Sequence, residues 1–342
     1  MKKKRVSITD IAKALNVTPS TVSRALNGGG KVSEKKKQQI QALAKELGYR
    51  PNPIARSLVE NKTQTIGLII PEFTHHFYSR VLAGIESVTS KAGYQLLICT
   101  SNEKKRQEIK SFQTLLDARV DGILATVCKK NDEFGHLQEV LESETPLVLM
   151  DRICEEIETS YVISDDFEGA FQAVDFLLQT GCTQIIHIKG PKVLSTSFNR
   201  FMGYKEALRK HQIPYNEELI FEGNDPELPE KIRTYIKTNP VDGVFAYSDY
   251  LAFEAVNVLR NEGISIPDKV AIVGYADEPI STYVTPQLTS VNQRPFDMGS
   301  IAAGFLLNQI QDPNSPLEFK SLKTELVTRS STKKNQLARS WE

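Results

Sequence analysis

The sequence predicts an all-α head on an α/β body. Three observations carry that expectation. Apolar residues recur at helical spacing from Ser7 to Leu47. After Lys62 the pattern changes to short apolar strands alternating with helical stretches, as in parallel sheets with right-handed crossovers. Charge divides at the same point: Met1–Lys62 holds 14 Lys and Arg against 4 Asp and Glu, and the remainder 28 against 38, beneath a net charge of zero. A chain of 342 residues also exceeds one ordinary core and implies two or three domains.

In the head, Ser7-Ile-Thr-Asp10 fits a capping box, and Ile8, Ile11, Ala12 and Leu15 follow on one helical face. Asn16 tolerates the left-handed turn that ends this helix. Thr18 caps a second helix with Pro19 at its first position, where a missing N–H costs nothing. Val22, Ala25 and Leu26 point inward, leaving Ser20, Thr21, Ser23, Arg24 and Asn27 outside. Two such helices about a short turn form a helix-turn-helix. Gly28-Gly29-Gly30-Lys31 reads as a connector. A phosphate loop would need Ser or Thr where Val32 stands, and a preceding strand. Ser33 then caps a third helix that runs to about Leu47 and ends at Gly48. Asn52-Pro53 opens a further helix of about seven residues, too short to persist alone in water.

Several function classes are disfavoured. No apolar run approaches the ~20 residues that span a bilayer. Met-Lys-Lys-Lys-Arg is followed by Val-Ser-Ile-Thr-Asp rather than a secretory apolar segment. Cys99, Cys128, Cys154 and Cys182 are widely spaced, which suits neither a zinc site nor a disulfide framework and fits a reduced cytoplasm. There is no Gly-x-Ser-x-Gly, no His-Glu-x-x-His and no Gly-x-Gly-x-x-Gly after a strand, so no catalytic residues, metal ligands or cofactor are expected. The five histidines lack ligand spacing, and His187 falls inside an apolar strand as an interior residue.

In the body, strands are predicted at Ile66–Ile70, Gln95–Cys99, Gly122–Thr126, Leu147–Met150, Tyr161–Ser164, Gln184–Ile188, Gly243–Tyr247 and Val270–Gly274. Helices are predicted near 77–92, 103–117, 167–180, 198–211, 226–238, 250–262 and 295–311. Ligands of open α/β sheets bind at the carboxyl ends of strands. Those ends offer a polar and aromatic set: Phe73, His75, Phe77 and Tyr78; Ser101 and Asn102; Asp151 and Arg152; Asp165 and Arg200; Phe245, Ser248, Asp249 and Asp277. The mixture suits a sugar, with aromatic faces against C–H surfaces and charged groups against hydroxyls. His75 and His76 fit an exposed loop as well as a ligand contact.

Four stretches occur in a telling order: Ile-Thr-Asp-Ile-Ala, Val-Thr-Pro-Ser-Thr-Val-Ser-Arg-Ala-Leu-Asn, Leu-Gly-Tyr-Arg-Pro-Asn-Pro-Ile-Ala-Arg-Ser-Leu and Thr-Ile-Gly-Leu-Ile-Ile-Pro. The chain thereby resembles the lac repressor (LacI/GalR) family of bacterial transcription regulators over almost its whole length. The resemblance implies a helix-turn-helix domain (1–50), a hinge helix and linker (51–62), and an effector-binding and dimerisation domain (63–342). That last domain would comprise two Rossmann-like subdomains, like those of periplasmic sugar-binding proteins. One would hold 63–161 plus 293–321, the other 162–292 plus 322–342, with a last strand around Thr324–Thr328.

By position in the family, Pro19, Ser20 and Arg24 read bases in the major groove. A guanidinium can bond a guanine edge at two points, and Pro19 can meet a thymine methyl. Ser20 and Thr21 equally suit phosphates. Ser7, Thr18, Ser23 and Asn27 complete the expected DNA-facing set. Leu58 would wedge open a central step of the minor groove, with Ala55 small enough for paired hinge helices to approach. Arg200 and Asp249 are the implied effector contacts. Two departures bear on the effector: His75-His76-Phe77-Tyr78 replaces the family's Asn-Pro-Phe-Phe, and Ala276 stands where Asp commonly follows Gly-Tyr. The expected partners are a pseudo-palindromic double-stranded operator, a second copy of the chain and a small-molecule effector, with no membrane. The effector is expected to be a sugar or sugar derivative. The alternatives are a nucleobase or nucleotide sensor of the same architecture and a sugar-binding transport component.

Overall fold

A computed structural model describes residues 6–27, 32–49, 62–128, 134–154 and 156–333. The chain forms two units, residues 1–63 and 64–342. The hinge stretch with Ala55 and Leu58, and the Gly28–Lys31 connector, lie outside the described residues.

The first unit contains α1 (Ile8–Ala14), α2 (Pro19–Asn27) and α3 (Glu34–Glu46). The capping box forms as its residues require: Ser7 N donates to Asp10 Oδ2 at 2.8 Å, and Asp10 N donates to Ser7 Oγ at 3.3 Å. Asn16 takes φ 47°, turning the chain left-handed between the first two helices. Ser33 stands at the N-cap of α3, but its side chain makes no cap bond. Its carbonyl instead accepts from Lys36 N and Lys37 N, each at 2.9 Å. Ile11, Ala12, Val22, Ala25, Ile40 and Ala44 bury the shared face.

The second unit is built on two six-stranded sheets. Its strands are β1 (Thr65–Ile70), β2 (Gln95–Thr100), β3 (Gly122–Ala125), β4 (Leu147–Met150), β5 (Ser160–Ser164), β6 (Ile185–Lys189), β7 (Ile220–Glu222), β8 (Gly243–Ala246), β9 (Ala271–Tyr275), β10 (Thr289–Asn292), β11 (Phe319–Leu322) and β12 (Glu325–Val327). The helices between them are α4 (His76–Thr89), α5 (Lys105–Asp117), α6 (Gly135–Glu142), α7 (Asp166–Gln179), α8 (Ser195–Lys210), α9 (Leu228–Thr238), α10 (Asp249–Asn261) and α11 (Pro295–Gln311). The sheet orders are β11-β5-β4-β3-β1-β2 and β12-β10-β9-β8-β6-β7. Every pairing is parallel except β10 with β12. Helices cover both faces, so the central strands are apolar throughout, as buried parallel strands must be.

The chain passes between the sheets three times: after Ser164, after Asn292 and after Leu322. The first passage comes after β5, whose Val162 and Ile163 pair within the first sheet with β11. Leu322 likewise closes β11 there, before the chain reaches β12. Four elements were not among those expected: β7, β10, β11 and α6. Among the described residues no helix is long and apolar enough to cross a membrane.

One contact fixes where α4 begins. Gly84 on α4 and Gly299 on α11 let the two backbones meet. A Cβ on Gly84 would stand 2.0 Å from Phe296 O, and one on Gly299 2.0 Å from Val81 O. Tyr78, Val81 and Ile85 then pack with Met298, Ala302 and Leu306 against the first sheet. The N-terminal turn of α4, carrying His76, Phe77 and Tyr78, is thereby held at the carboxyl end of β1.

Candidate functional site

On the first unit, α2 offers one polar face. Pro19, Ser20 and Arg24 are exposed, while Val22 and Ala25 are buried behind them. Thr18 Oγ1 lies 2.9 Å from both Ser20 Oγ and Thr21 Oγ1 and accepts Thr21 N at 3.3 Å, so the helix start is a hydroxyl cluster. Arg24 Nε donates to Ser20 O at 3.2 Å. Ser7 spends its hydroxyl on Asp10 Oδ2 at 2.7 Å, which leaves it a structural duty whatever else it touches. Ser23 is half-buried, and Asn27 is the last residue of α2.

On the second unit, a cleft of about 100 Å³ collects groups from the carboxyl ends of both sheets. Of the expected effector residues, His75, Phe77, Tyr78, Arg152, Arg200 and Asp249 line it. Asp151 and Ser248 line it too. Tyr247, Tyr250, Tyr275, Glu278 and Gln293 join them without having been expected. Nothing in their immediate sequence marks these five. They end or follow β8, β9 and β10, so the carboxyl-end rule, applied to every strand, would have reached them.

The remaining expected residues stand elsewhere. Phe73 is exposed in the loop after β1. Ser101 is fully buried, with an Oγ that has no hydrogen-bond partner. Asp165 caps α7, accepting Glu168 N at 3.0 Å. Phe245 is buried in a stack with His187, ring centroids 5.0 Å apart. Burial drives the pKa of His187 down to about 3, so its imidazole is neutral in the fold. Asp277 pairs with Arg329 Nη2 at 2.6 Å and accepts Asn292 Nδ2 at 3.0 Å. Those bonds fasten a turn rather than face the cleft.

Both cleft guanidiniums are already held. Arg200 donates from Nε to Asp166 Oδ1 at 2.9 Å and from Nη1 to Tyr247 O at 2.7 Å. It lies against the rings of Tyr247 and Tyr275, at 4.5 and 3.7 Å from their centroids. Burial works against its charge, but Asp166 and the two tyrosines outweigh burial and raise its pKa. Arg152 Nη1 donates to Glu103 Oε1 at 2.8 Å, and Nε lies 3.6 Å from Asp151 Oδ2. Tyr78 Oη donates to that same oxygen at 3.1 Å. Desolvation raises the pKa of Asp151, against the lowering effect of Arg152. Asp249 is fully buried. It accepts Ser290 Oγ at 2.6 Å, Glu278 N at 2.7 Å and Ser281 Oγ at 3.1 Å. Desolvation outweighs those donors and pushes its pKa up to about 7. Gln293 is 3% exposed, and its Nε2 has no hydrogen-bond partner. A buried amide donor without an acceptor in a cleft marks a place for a polar ligand atom.

Among the described residues no three His, Cys, Asp or Glu side chains gather as a metal site. A helical DNA-reading head in one chain with a two-sheet, ligand-cleft body defines the class of effector-controlled transcription regulators. Residues 7–52 match "Bacterial regulatory proteins, lacI family" and residues 174–332 match "Periplasmic binding protein-like domain". The chain is 33% identical over 328 residues to the ribose operon repressor of Halalkalibacterium halodurans, covering 96% of this chain and 97% of that one. It is 32% identical over 338 residues to the HTH-type transcriptional repressor PurR of Vibrio parahaemolyticus, covering 96% and 99%. The structure of the transcriptional regulator CelR with cellobiose superposes with a TM-score of 0.71 at 29% identity, over 96% of this chain and 100% of that one. The chain belongs to the lacI family of bacterial regulatory proteins, and its head is a DNA-binding domain of that family.

Proposed function

We propose that the chain is a homodimeric, cytoplasmic repressor without catalytic activity. Its α2 helices read a pseudo-palindromic operator, and a sugar or sugar derivative in the body cleft controls that grip. The unpartnered amide donor of Gln293, buried in a cleft of tyrosines and phenylalanine, carries the effector reading. Aromatic faces suit the C–H surface of a sugar ring, and a donor inside a dry cleft suits a hydroxyl. The charges favour an uncharged ligand. Arg152 and Arg200 are committed to Glu103 and Asp166, while Asp249 and Glu278 bring further acidic groups that accept backbone N–H donors. A phosphate would meet no guanidinium free of a carboxylate. A ribose operon repressor and a cellobiose-bound regulator among the relatives support the same class.

The test is fluorescence anisotropy on an operator selected from random duplex. The complex is titrated with neutral pentoses, hexoses and disaccharides, their phosphate esters, and purine bases. A neutral sugar should change operator affinity by about 5–150-fold, and the operator should change sugar affinity by the same factor. A response to purine bases alone would move the chain to the nucleobase-sensing reading.

A further inference from the structure

The segment after β1 and the turn after β9, where the two departures from the family pattern lie, meet across the cleft through Glu278 and His76. Glu278 follows β9 in the second sheet, and His76 opens α4 after β1 in the first. Glu278 Oε2 accepts His76 N at 3.3 Å, and Glu278 is only 4% exposed. We propose that Glu278 is a cross-cleft latch: its carboxylate caps α4 from the opposite lobe and holds the two lobes together.

Four observations support it. First, α4 lacks a cap of its own. Its N-cap His75 makes no side-chain cap bond, and its first turn holds no acidic residue. The first N–H groups of a helix need acceptors, and a carboxylate there is further favoured by the helix dipole. Second, His75 is turned to other partners. Its Nε2 lies 2.8 Å from Glu72 Oε1, and its ring meets Tyr250, on the second lobe, edge-on at 4.8 Å. Third, the turn that presents Glu278 is strained. Ala276 has φ 105° and Asp277 φ 52°, values that side-chain-bearing residues seldom adopt. Such strain persists only where surrounding bonds impose it. Here Ala276 N donates to Val291 O, Asp277 N to Ser290 Oγ, and Glu278 N to Asp249 Oδ2. Fourth, the cleft holds about 100 Å³, below the roughly 300–1,000 Å³ of small-molecule pockets. A ligand of sugar size needs the lobes to part, and parting them costs the Glu278–His76 bond. Effector binding is then a competition with a contact the protein makes with itself, which lowers apparent affinity by the unlatched fraction.

The latch is a contact of the chain with itself, so its test does not depend on which effector binds. The full-length protein without ligand is followed by hydrogen–deuterium exchange as wild type, Glu278→Ala and Glu278→Gln. Loss of a charge-assisted hydrogen bond should speed exchange in the first turn of α4, residues 76–80, by about tenfold or more in Glu278→Ala. Glu278→Gln, which keeps an oxygen acceptor without the charge, should fall between. The first turn of α7, capped by its own Asp165, should exchange as in wild type and so monitors intact folding. Unchanged exchange at 76–80 would overturn the latch. So would equal acceleration at α4 and α7, because Glu278 would then support the fold generally.

Discussion

Arg24 stands exposed on α2, and a neighbouring carbonyl, Ser20 O, holds its Nε in place. Its two terminal nitrogens remain available for the two acceptors of a guanine edge. Arg24→Ala should therefore lose about 1–3 kcal/mol at one base pair per half-site and relax the choice of base there, measured by anisotropy on single-substitution operators. Uniform weakening on every duplex would recast Arg24 as a phosphate contact. Asp249 makes a different prediction. Its pKa in the fold, about 7, lies above the ordinary 3.8, so folding favours its protonated form. Its contribution is full below about pH 4 and is lost as the pH rises through 7. Asp249→Asn removes that titration, and urea melts should show a shallower fall in stability between about pH 4 and pH 7 than in wild type. Equal slopes would mean that Asp249 does not titrate in this range. The resemblance assigned Asp249 to the effector, and Asp249 lines the cleft. Sequence could not show that its oxygens are spent on Ser290, Ser281 and the Glu278 amide, because those partners are 29 to 41 residues away. Glu278 was invisible for a like reason: an acid in a loop carries no local sign that folding will bury it.

Among elements, the strands with continuous apolar runs were legible, and those without were not. Ile66–Ile70 and Leu147–Met150 read directly, since both faces of each are covered. Strand β11, Phe-Lys-Ser-Leu, is mostly exposed at a sheet edge. Strand β7 is three residues long, and β10 is Thr-Ser-Val-Asn. Their pairing comes from neighbours far along the chain, such as β5 for β11. Helix α6 is short and opens on Gly135, which weakens any local signal. The α4–α11 contact was equally hidden, because a glycine inside a helix pattern does not announce its partner. Gly84→Ala would place a methyl 2.0 Å from Phe296 O. The variant should lose about 1–3 kcal/mol of stability in urea denaturation. Wild-type stability would mean that α4 and α11 can move apart at little cost.

At the scale of the whole molecule, the two units have separable tasks joined by linkage. A basic head holds phosphates and reads bases, while an acidic body senses a ligand and latches itself. The resemblance assigns the link to the hinge stretch, with Leu58 as the wedge. Leu58→Ala should leave ligand binding by the body unchanged and weaken operator affinity, since a wedge that no longer unstacks a base step forfeits the bend and its contacts. Operator affinity equal to wild type would remove Leu58 from that role. The central claim is that this chain recognises one duplex sequence. Its most direct test is equilibrium binding of the purified protein, at about 0.15 M salt, to a duplex enriched from a randomised pool and to a shuffled duplex of the same composition. The enriched site should be two-fold symmetric and bound at least about 10³-fold more tightly. Equal affinity for the two duplexes would contradict the account.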